Sequence, residues 1–416
     1  MEKHNHSKIM GWQNRRTHHR APHQYLPALS KDILIITNYF PPETGAASNR
    51  IFHLAEGLQK RGFSISVLTP LPNYPKGKIF EGYKKHFKHT SKENGITVHR
   101  LWIYASNSKN KLLRLFAMLS YSFSLIWFFI WNKIPKKVIV QSPPLLVAFT
   151  CILFLRNKKR QLILNVSDLW PIAGLELGAF KKNWSYRLLE WIEHFNYKNA
   201  NLILGQSNEI LTHITSIYPN KKTFLYRNYP DFIPPEIPIN LQENSKIKMV
   251  YAGLLGIAQG IHKLCTKLDY TNIEFHIYGA GAEQEAIVDF IKNHSELPIT
   301  FHGEIERSLL HRELLKYDIT IIPLLNRIYG SVPSKIFEYA RLGLPMIYFG
   351  GGEGEKVISK NNLGWIAEAA EYKSLNKAIS ALNKDNLSRN NKVEIQQKAV
   401  IAFDFNTQLE ELSKIL

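Results

Sequence analysis

The sequence predicts an α/β protein built of two consecutive doubly wound, Rossmann-like domains. Three observations carry that expectation. The chain has 416 residues, more than a single core ordinarily takes. Short apolar runs alternate along it with stretches of helical spacing, the pattern of parallel sheets covered by helices on both faces. The alternation breaks once, across the proline-rich stretch from Pro219 to Asn244, and then restarts.

The first apolar run, Asp32-Ile33-Leu34-Ile35-Ile36-Thr37, reads as a buried parallel strand. A Pro/Gly loop follows, Pro41-Pro42-Glu43-Thr44-Gly45. Ser48 to Gly62 then has helical spacing, with Ile51, Leu54, Ala55 and Leu58 on one face, and Phe63 to Thr69 is the next strand. Together they make a βαβ unit. Val98 to Tyr104, Lys137 to Gln141, Gln161 to Val166 and Leu202 to Gly205 continue the first domain. Lys248 to Ala252, Glu274 to Tyr278, Ile299 to His302, Ile319 to Pro323 and Met346 to Phe349 are the strands of the second. The expected organisation is a disordered basic tail over 1–30, a first domain over 31–225, a linker over 226–245 and a second domain over 246–390. A closing helix over 391–416 is expected to pack back on the first domain.

Composition narrows the setting. The formal charge is +19, and it lies entirely in the first half. Residues 1–225 hold 32 Lys/Arg against 11 Asp/Glu, whereas 226–416 hold 21 against 23. Such a half is drawn to an anionic surface, nucleic acid or lipid. No aromatic–basic interleaving or motif supports nucleic acid. The histidines of the tail (His4, His6, His18, His19 and His23) signal metal binding only weakly. Two cysteines, Cys151 and Cys265, form neither a disulfide framework nor a zinc cluster, and the start of the chain has no apolar core of a signal peptide. A cytoplasmic protein is expected.

Lipid is favoured by residues 112–131. Leu115 to Trp131 carry no charge and are rich in Leu, Phe, Ile and Trp. Lys109, Lys111 and Arg114 precede them, and Lys133, Lys136 and Lys137 follow. A spanning helix needs about 20 apolar residues, and this run is just short. A second run, Leu145 to Leu155, is far shorter. A span would also place strands of one sheet on opposite sides of a bilayer. A helix dipping into one leaflet is therefore preferred over one buried under the sheet, and both over a span. The expected location is peripheral, on the inner face of the cytoplasmic membrane.

Open α/β sheets bind ligands at the carboxyl ends of their strands. In the second domain Tyr251-Ala252-Gly253 and Tyr278-Gly279-Ala280-Gly281 end strands with small residues that let a ligand approach the backbone. Gly330-Ser331-Val332-Pro333-Ser334 is a turn, with Ser334 placed as N-cap of a helix over Lys335 to Arg341. That helix start, with Lys335, suits a diphosphate, and Glu338 one turn on suits ribose hydroxyls. A plain cap and a solvated first-turn acid are the alternatives. In the first domain Asp168, beside Trp170 and Pro171, is placed to hold sugar hydroxyls or else to cap the next helix. Arg50 faces an anionic acceptor or solvent. No Asp-x-Asp pair and no P-loop occur, so a Mg²⁺-diphosphate mechanism of that type is not expected, and charge stabilisation falls to Lys335 and the helix. No cofactor and no metal are expected.

In order along the chain stand Tyr-Phe-Pro-Pro-Glu-Thr-Gly-Ala-Ala-Ser-Asn-Arg (39–50), Ser142-Pro143-Pro144, Asp168-Leu169-Trp170-Pro171 and Arg227-Asn228-Tyr229. Tyr251-Ala252-Gly253, Tyr278-Gly279-Ala280-Gly281 and Val332-Pro333-Ser334-Lys335-Ile336-Phe337-Glu338-Tyr339 follow. This series resembles glycosyltransferase family 4, of the GT-B fold, in which two Rossmann-like domains face a central cleft. It resembles the subgroup that adds amino-deoxy sugars such as N-acetyl-L-fucosamine during O-antigen or capsule assembly.

The resemblance implies a retaining transfer from a nucleotide sugar, a UDP-sugar, to a hydroxyl of a lipid-diphosphate-linked saccharide, with the leaving diphosphate helping to take the acceptor proton. It implies donor contacts from Gly45, Gly253, Tyr278, Gly279, Ser334, Lys335 and Glu338, Glu338 being the second Glu of an E-x7-E pattern that binds ribose. Arg50, Asp168 and Trp170 fall on the acceptor side, and Asp168 and Glu338 are the candidate catalytic carboxylates. Two departures stand out. Gly330 occupies the position of the first Glu, and Leu254 and Gln259 stand where a basic pair often grips the diphosphate. They motivate two alternatives: a catalytically weak GT-B subunit that binds nucleotide sugar or a partner enzyme, and a GT-B nucleotide-sugar epimerase.

Overall fold

Two parallel sheets organise the computed structural model, which describes residues 31–108, 110–178, 181–239 and 246–416. The tail expected over 1–30 and the end of the expected linker, 240–245, lie outside the described residues. The first sheet has eight strands in the order β3-β4-β2-β1-β5-β6-β7-β8. They are β1 (Asp32–Ile36), β2 (Ser64–Pro70), β3 (Lys88–Glu93), β4 (Ile96–Leu101), β5 (Lys137–Ser142), β6 (Gln161–Val166), β7 (Leu202–Gly205) and β8 (Thr223–Leu225). Its helices are α1 (Ala46–Lys60), α2 (Lys111–Trp131), α3 (Leu145–Leu155), α4 (Ile172–Glu176), α5 (Trp184–Asn199) and α6 (Asn208–Ile217).

The second sheet has six strands in the order β11-β10-β9-β12-β13-β14. Along the chain run β9 (Ile247–Ala252), α7 (Ile261–Lys267), β10 (Ile273–Tyr278), α8 (Gln284–Asn293), β11 (Ile299–Gly303), α9 (Arg307–Leu314) and β12 (Ile319–Pro323). Then come α10 (Lys335–Arg341), β13 (Met346–Phe349), α11 (Glu353–Asn361), β14 (Gly364–Ala367), α12 (Tyr372–Ser380), α13 (Arg389–Ala402) and α14 (Phe405–Ile415). All pairings are parallel except β3 with β4.

Each sheet is buried on both faces because its strands are apolar at successive positions. Ile33 and Ile35 of β1 pack with Ile51, Leu54 and Leu58 of α1, while Leu34 and Ile36 pack with Tyr121 and Leu125 of α2. In the second domain Met249 and Tyr251 of β9 meet Ile261 and Leu264 of α7, and Val250 and Ala252 meet Ile336 and Phe337 of α10.

β3, β8 and β14 are strands that the sequence reading did not expect, and two expected elements take another form. The strand expected over Val98 to Tyr104 begins at Ile96, as the second arm of a hairpin with β3. Asn94 and Gly95 both take positive φ, 48° and 82°, as a two-residue hairpin loop requires. The closing helix is two helices. α13 packs on α10 and inserts the Lys392 ammonium at 2.7 Å from the Tyr317 carbonyl. The chain then breaks at Phe403 and restarts at Asp404, whose carboxylate accepts from the Thr407 amide at 2.6 Å. α14 packs on α1, with Leu409 against Gly57 and Arg61 donating to the Asn406 carbonyl at 2.7 Å. The chain so returns to the first domain, and Lys31 to Leu416 form one compact unit.

Helix α2 is two-faced. Tyr121, Leu125 and Phe128 are buried, and the Tyr121 hydroxyl reaches the Thr37 carbonyl at 3.2 Å. Leu112, Phe116, Leu119, Phe123, Trp127, Ile130 and Trp131 are exposed, at the three- and four-residue spacing of one helical stripe. Among the described residues no helix is long and apolar enough to cross a membrane.

Candidate active site

The strand order reverses between β1 and β5 in the first sheet and between β9 and β12 in the second. The carboxyl ends of the strands at these two switch points are where a doubly wound sheet takes ligands.

At the second-domain switch point three glycines clear the approach. Gly253 (φ 154°) follows β9, and its amide donates to the Tyr278 carbonyl at 3.0 Å. A Cβ on Gly279 (φ 135°) would strike the Gly253 carbonyl, and one on Gly281 the Leu255 carbonyl. Above Gly253 lies the Lys335 ammonium. It donates to the Ala252 carbonyl at 2.5 Å and stands 4.6 Å from the centroid of the Tyr251 ring. Burial lowers Lys335 to about 8, against a smaller upward pull from Glu338, so it is mostly charged at neutral pH.

Glu338 stands one turn further along α10, buried. Its Oε1 accepts from Arg307 Nη2 at 3.0 Å and lies 2.8 Å from His311 Nε2, both on α9. Burial alone would raise this carboxyl. The His311 hydrogen bond and the Arg307 guanidinium outweigh burial and hold it below its ordinary value. Ser334 differs from its expected role. It sits before α10 but is already in helical conformation (φ −61°, ψ −23°), and its hydroxyl makes no capping bond. A cap requires extended backbone at that position. With only seven residues in α10, the full charge of Lys335 is the main cation of this turn. Tyr278 gives Gly253 its carbonyl but turns its phenol to Glu313 Oε1 at 3.0 Å and Tyr317 at 2.8 Å. Its ring stacks on His302 at 4.4 Å.

Across the cleft Gly45 (φ 149°) opens the first turn of α1 and is exposed. Arg50, on the same helix, donates to Gln206 Oε1 at 2.9 Å and to the Ser167 hydroxyl. Ser167 also receives Gln141 Nε2 at 2.5 Å, and Gln141 Oε1 receives Asn165 at 2.8 Å. Sequence reasoning gave no role to Gln141 or Gln206, whose partners lie far along the chain. Arg50 and Asp168 face one another electrostatically. Burial lowers the guanidinium and raises the carboxyl, and each charge partly restores the other. Trp170 is half-buried just ahead of α4.

Gly330 lies at the junction of the two domains. It is buried, with φ 83°, and a Cβ there would press on Ile210 (2.9 Å) and Leu169 (3.2 Å) of the first domain. Its amide donates to Glu209 Oε2 at 3.0 Å, and its carbonyl accepts from the Ser207 hydroxyl at 2.7 Å. Nearby, Glu353 of α11 caps α6 from the other domain. Its Oε1 accepts from the Asn208 amide at 2.9 Å, its Oε2 from the Glu209 amide at 2.8 Å, and Arg227 completes the set. Nothing in the sequence around Glu353 announced this role. A cavity of about 580 Å³ opens beside it, lined in part by Asn208, Arg227, Tyr329 and Lys356. None of the expected donor residues lines that cavity. Among the described residues no group of three or more His, Cys, Asp or Glu side chains converges as a metal site.

Two doubly wound domains, each with a ligand-type switch point at the carboxyl ends of its strands, make up an architecture of GT-B type. Residues 45–224 match the family model described as glycosyl transferase 4-like domain, and residues 247–385 match glycosyl transferases group 1. These two matches take in well over half of the chain, which belongs to the family 4 glycosyltransferases of GT-B fold. No curated protein matches the sequence. Among solved structures, sucrose-phosphate synthase from Thermosynechococcus elongatus is similar at TM-score 0.70 and 13% identity, covering 92% of this chain and 98% of that one. WaaG, a glycosyltransferase involved in lipopolysaccharide biosynthesis, is similar at TM-score 0.62 and 13% identity, covering 92% and 99%. HepE from Anabaena, in complex with UDP and glucose, is similar at TM-score 0.59 and 14% identity, covering 92% and 98%.

Proposed function

We propose that this glycosyltransferase moves a sugar, with retention and without a metal, from a UDP-sugar to a hydroxyl of a lipid-diphosphate-linked saccharide during surface-polysaccharide assembly. The observation that carries the reading is the Lys335 ammonium seated over Gly253, with the Glu338 carboxylate one turn away. A cation above a bare backbone turn suits a diphosphate, and an ionised carboxylate beside it suits ribose. The anomeric C–O bond to the diphosphate breaks as the acceptor hydroxyl attacks the same face. The acceptor proton passes to the departing diphosphate oxygen, so no separate base is required. Lys335 offsets the charge that develops on that oxygen. Asp168 and Arg50, opposite, orient acceptor hydroxyls and an acceptor phosphate. The donor sugar that the sequence resemblance favours is an N-acetylated deoxyamino sugar such as N-acetyl-L-fucosamine.

The exposed stripe of α2 supports work at the inner face of the cytoplasmic membrane. Phe123, Trp127 and Trp131 are each at least 60% exposed. Trp184 and Trp191 of α5 add exposed aromatic surface in the same domain, and this half of the chain carries the basic surplus. That chemistry suits an anionic leaflet.

The test is turnover of a nucleotide-sugar panel by purified protein with a polyprenyl-diphosphate-linked saccharide. Transfer that disappears in Lys335→Ala is expected. UDP binding without transfer from any donor would favour a non-catalytic subunit, the reading that Gly330 motivates. UDP release without acceptor would favour an epimerase.

A further inference from the structure

Glu338 is held by one oxygen only. Arg307 and His311 both bond Oε1, and among the described residues Oε2 has no bond. Nor is Oε2 sealed off, for it is not among the buried polar atoms that lack a partner. The side chain as a whole is 11% exposed, so the opening is narrow and falls on that oxygen. The terminal torsion of a free glutamate is broad. Two donors on one oxygen remove that freedom and fix where the other oxygen stands. The donors are themselves held differently. His311 packs its ring against Phe232 at 4.2 Å between centroids, whereas the Arg307 side chain is 72% exposed and rests on the carboxylate.

We propose that Arg307 and His311 are positioning residues for the nucleotide: they clamp Oε1 of Glu338 so that Oε2 is presented, ionised and fixed, to the vicinal hydroxyls of a ribose. The proposal rests on the reading of Glu338 as the ribose carboxylate and extends it to two residues of another helix. It makes the preference for ribose over a sugar lacking both hydroxyls a property of α9 as much as of α10. Arg307 is too exposed to be a core residue, so its removal is expected to leave the fold intact.

The test uses the full chain and calorimetric binding of UDP, ADP and GDP. The tightest of these is then compared with its 2′,3′-dideoxy form. The wild type is expected to prefer the ribonucleotide by about tenfold or more, the worth of a hydrogen bond to a charged group. Arg307→Ala and His311→Ala are each expected to cut that preference to about threefold or less while leaving affinity for the dideoxy form unchanged. His311→Gln, whose amide still donates, is expected to retain it. The proposal is overturned if the α9 variants keep the wild-type preference while Glu338→Ala loses it. It is overturned equally if they weaken both ligands alike, since that is a loss of structure and not of positioning. A wild type with no ribose preference, or a Glu338→Ala variant that keeps it, overturns the underlying assignment of Glu338 instead.

Discussion

Lys335 occupies the space that a side chain on Gly253 would need. A Cβ built on Gly253 falls on the Lys335 ammonium, and that ammonium is anchored at 2.5 Å to the carbonyl of the residue before. Gly253 is thus a glycine for two reasons, its φ of 154° and its neighbour. Gly253→Ala is expected to displace Lys335 without dismantling β9. UDP affinity should fall by about 10- to 100-fold, the range for one charged hydrogen bond, and titration calorimetry measures it. Wild-type affinity in this variant would remove Lys335 from the donor site.

The same lysine gives a pH signature of two opposite signs. Burial has brought Lys335 from 10.5 to about 8. Below pH 8 folded and unfolded chains both hold the proton, and the folded state bears the full cost of a buried charge. Between 8 and 10.5 only the unfolded chain holds it, so this group's contribution to stability rises with pH. Donor binding needs the charge and should weaken over the same window. Parallel melting and UDP-binding series from pH 7 to 10 check both trends. Lys335→Arg, charged throughout, should flatten the binding curve.

Glu353 fastens the domains. Its carboxylate takes two amides at the start of α6 and the guanidinium of Arg227. Burial raises it, but the Asn208 and Glu209 amides and Arg227 bring it below its ordinary value. A depressed carboxyl stabilises the fold above its unfolded pKa, and that stability is lost as pH falls through the folded value. Glu353→Ala leaves Arg227 buried without its carboxylate and is expected to cost about 3–5 kcal/mol, read by urea unfolding. An Arg227→Ala, Glu353→Ala double variant should cost less than the two singles together.

Most of the parallel strands were legible because burial on both faces leaves a continuous apolar run, as in Leu34, Ile35 and Ile36, whereas β14, reading Gly-Trp-Ile-Ala and partly exposed, was not. β3 was not, because an edge strand reading Lys-His-Thr-Ser-Lys-Glu is half solvated and polar. Its signal was the Asn94-Gly95 turn. β8, with three residues, carries too little pattern to register. Lys335 and Glu338 could be proposed together because both sit on one short segment. Their partners could not, since Arg307 and His311 are about thirty residues away and only the packing of α9 against α10 brings them together. The Glu353 clasp joins residues 126 to 145 positions apart and has no local signature at all.

Gly330 offers a test by restoration. The E-x7-E pattern of the resemblance puts its first Glu at this position, so Gly330→Glu is the substitution that the pattern recommends. The geometry opposes it. The backbone φ of 83° disfavours any side chain, and the new one would enter between Ile210 and Leu169. Left-handed backbone alone costs about 1–2 kcal/mol, and an unpaired carboxylate among apolar groups adds more. Gly330→Glu is therefore expected to lower the melting temperature and to abolish transfer. A gain in turnover would show instead that this chain lacks a catalytic group and that the junction yields to receive it.

The stripe on α2 predicts how the protein meets lipid. Phe123, Trp127 and Trp131 project from the face opposite Tyr121 and Leu125, which stay in the core. Replacing the three by Ser removes exposed apolar surface only, so stability should change little. Sedimentation with vesicles of phosphatidylglycerol and phosphatidylethanolamine should fall by at least about tenfold, since each buried aromatic group contributes on the order of 1 kcal/mol or more. Turnover on a soluble acceptor analogue should persist. Raising salt should release the wild type partly, because screening weakens the attraction of the basic half for anionic headgroups without touching the aromatic contribution. Unchanged sedimentation of the triple variant would move the membrane contact away from α2, with the exposed Trp184 and Trp191 of α5 as the next surface to vary.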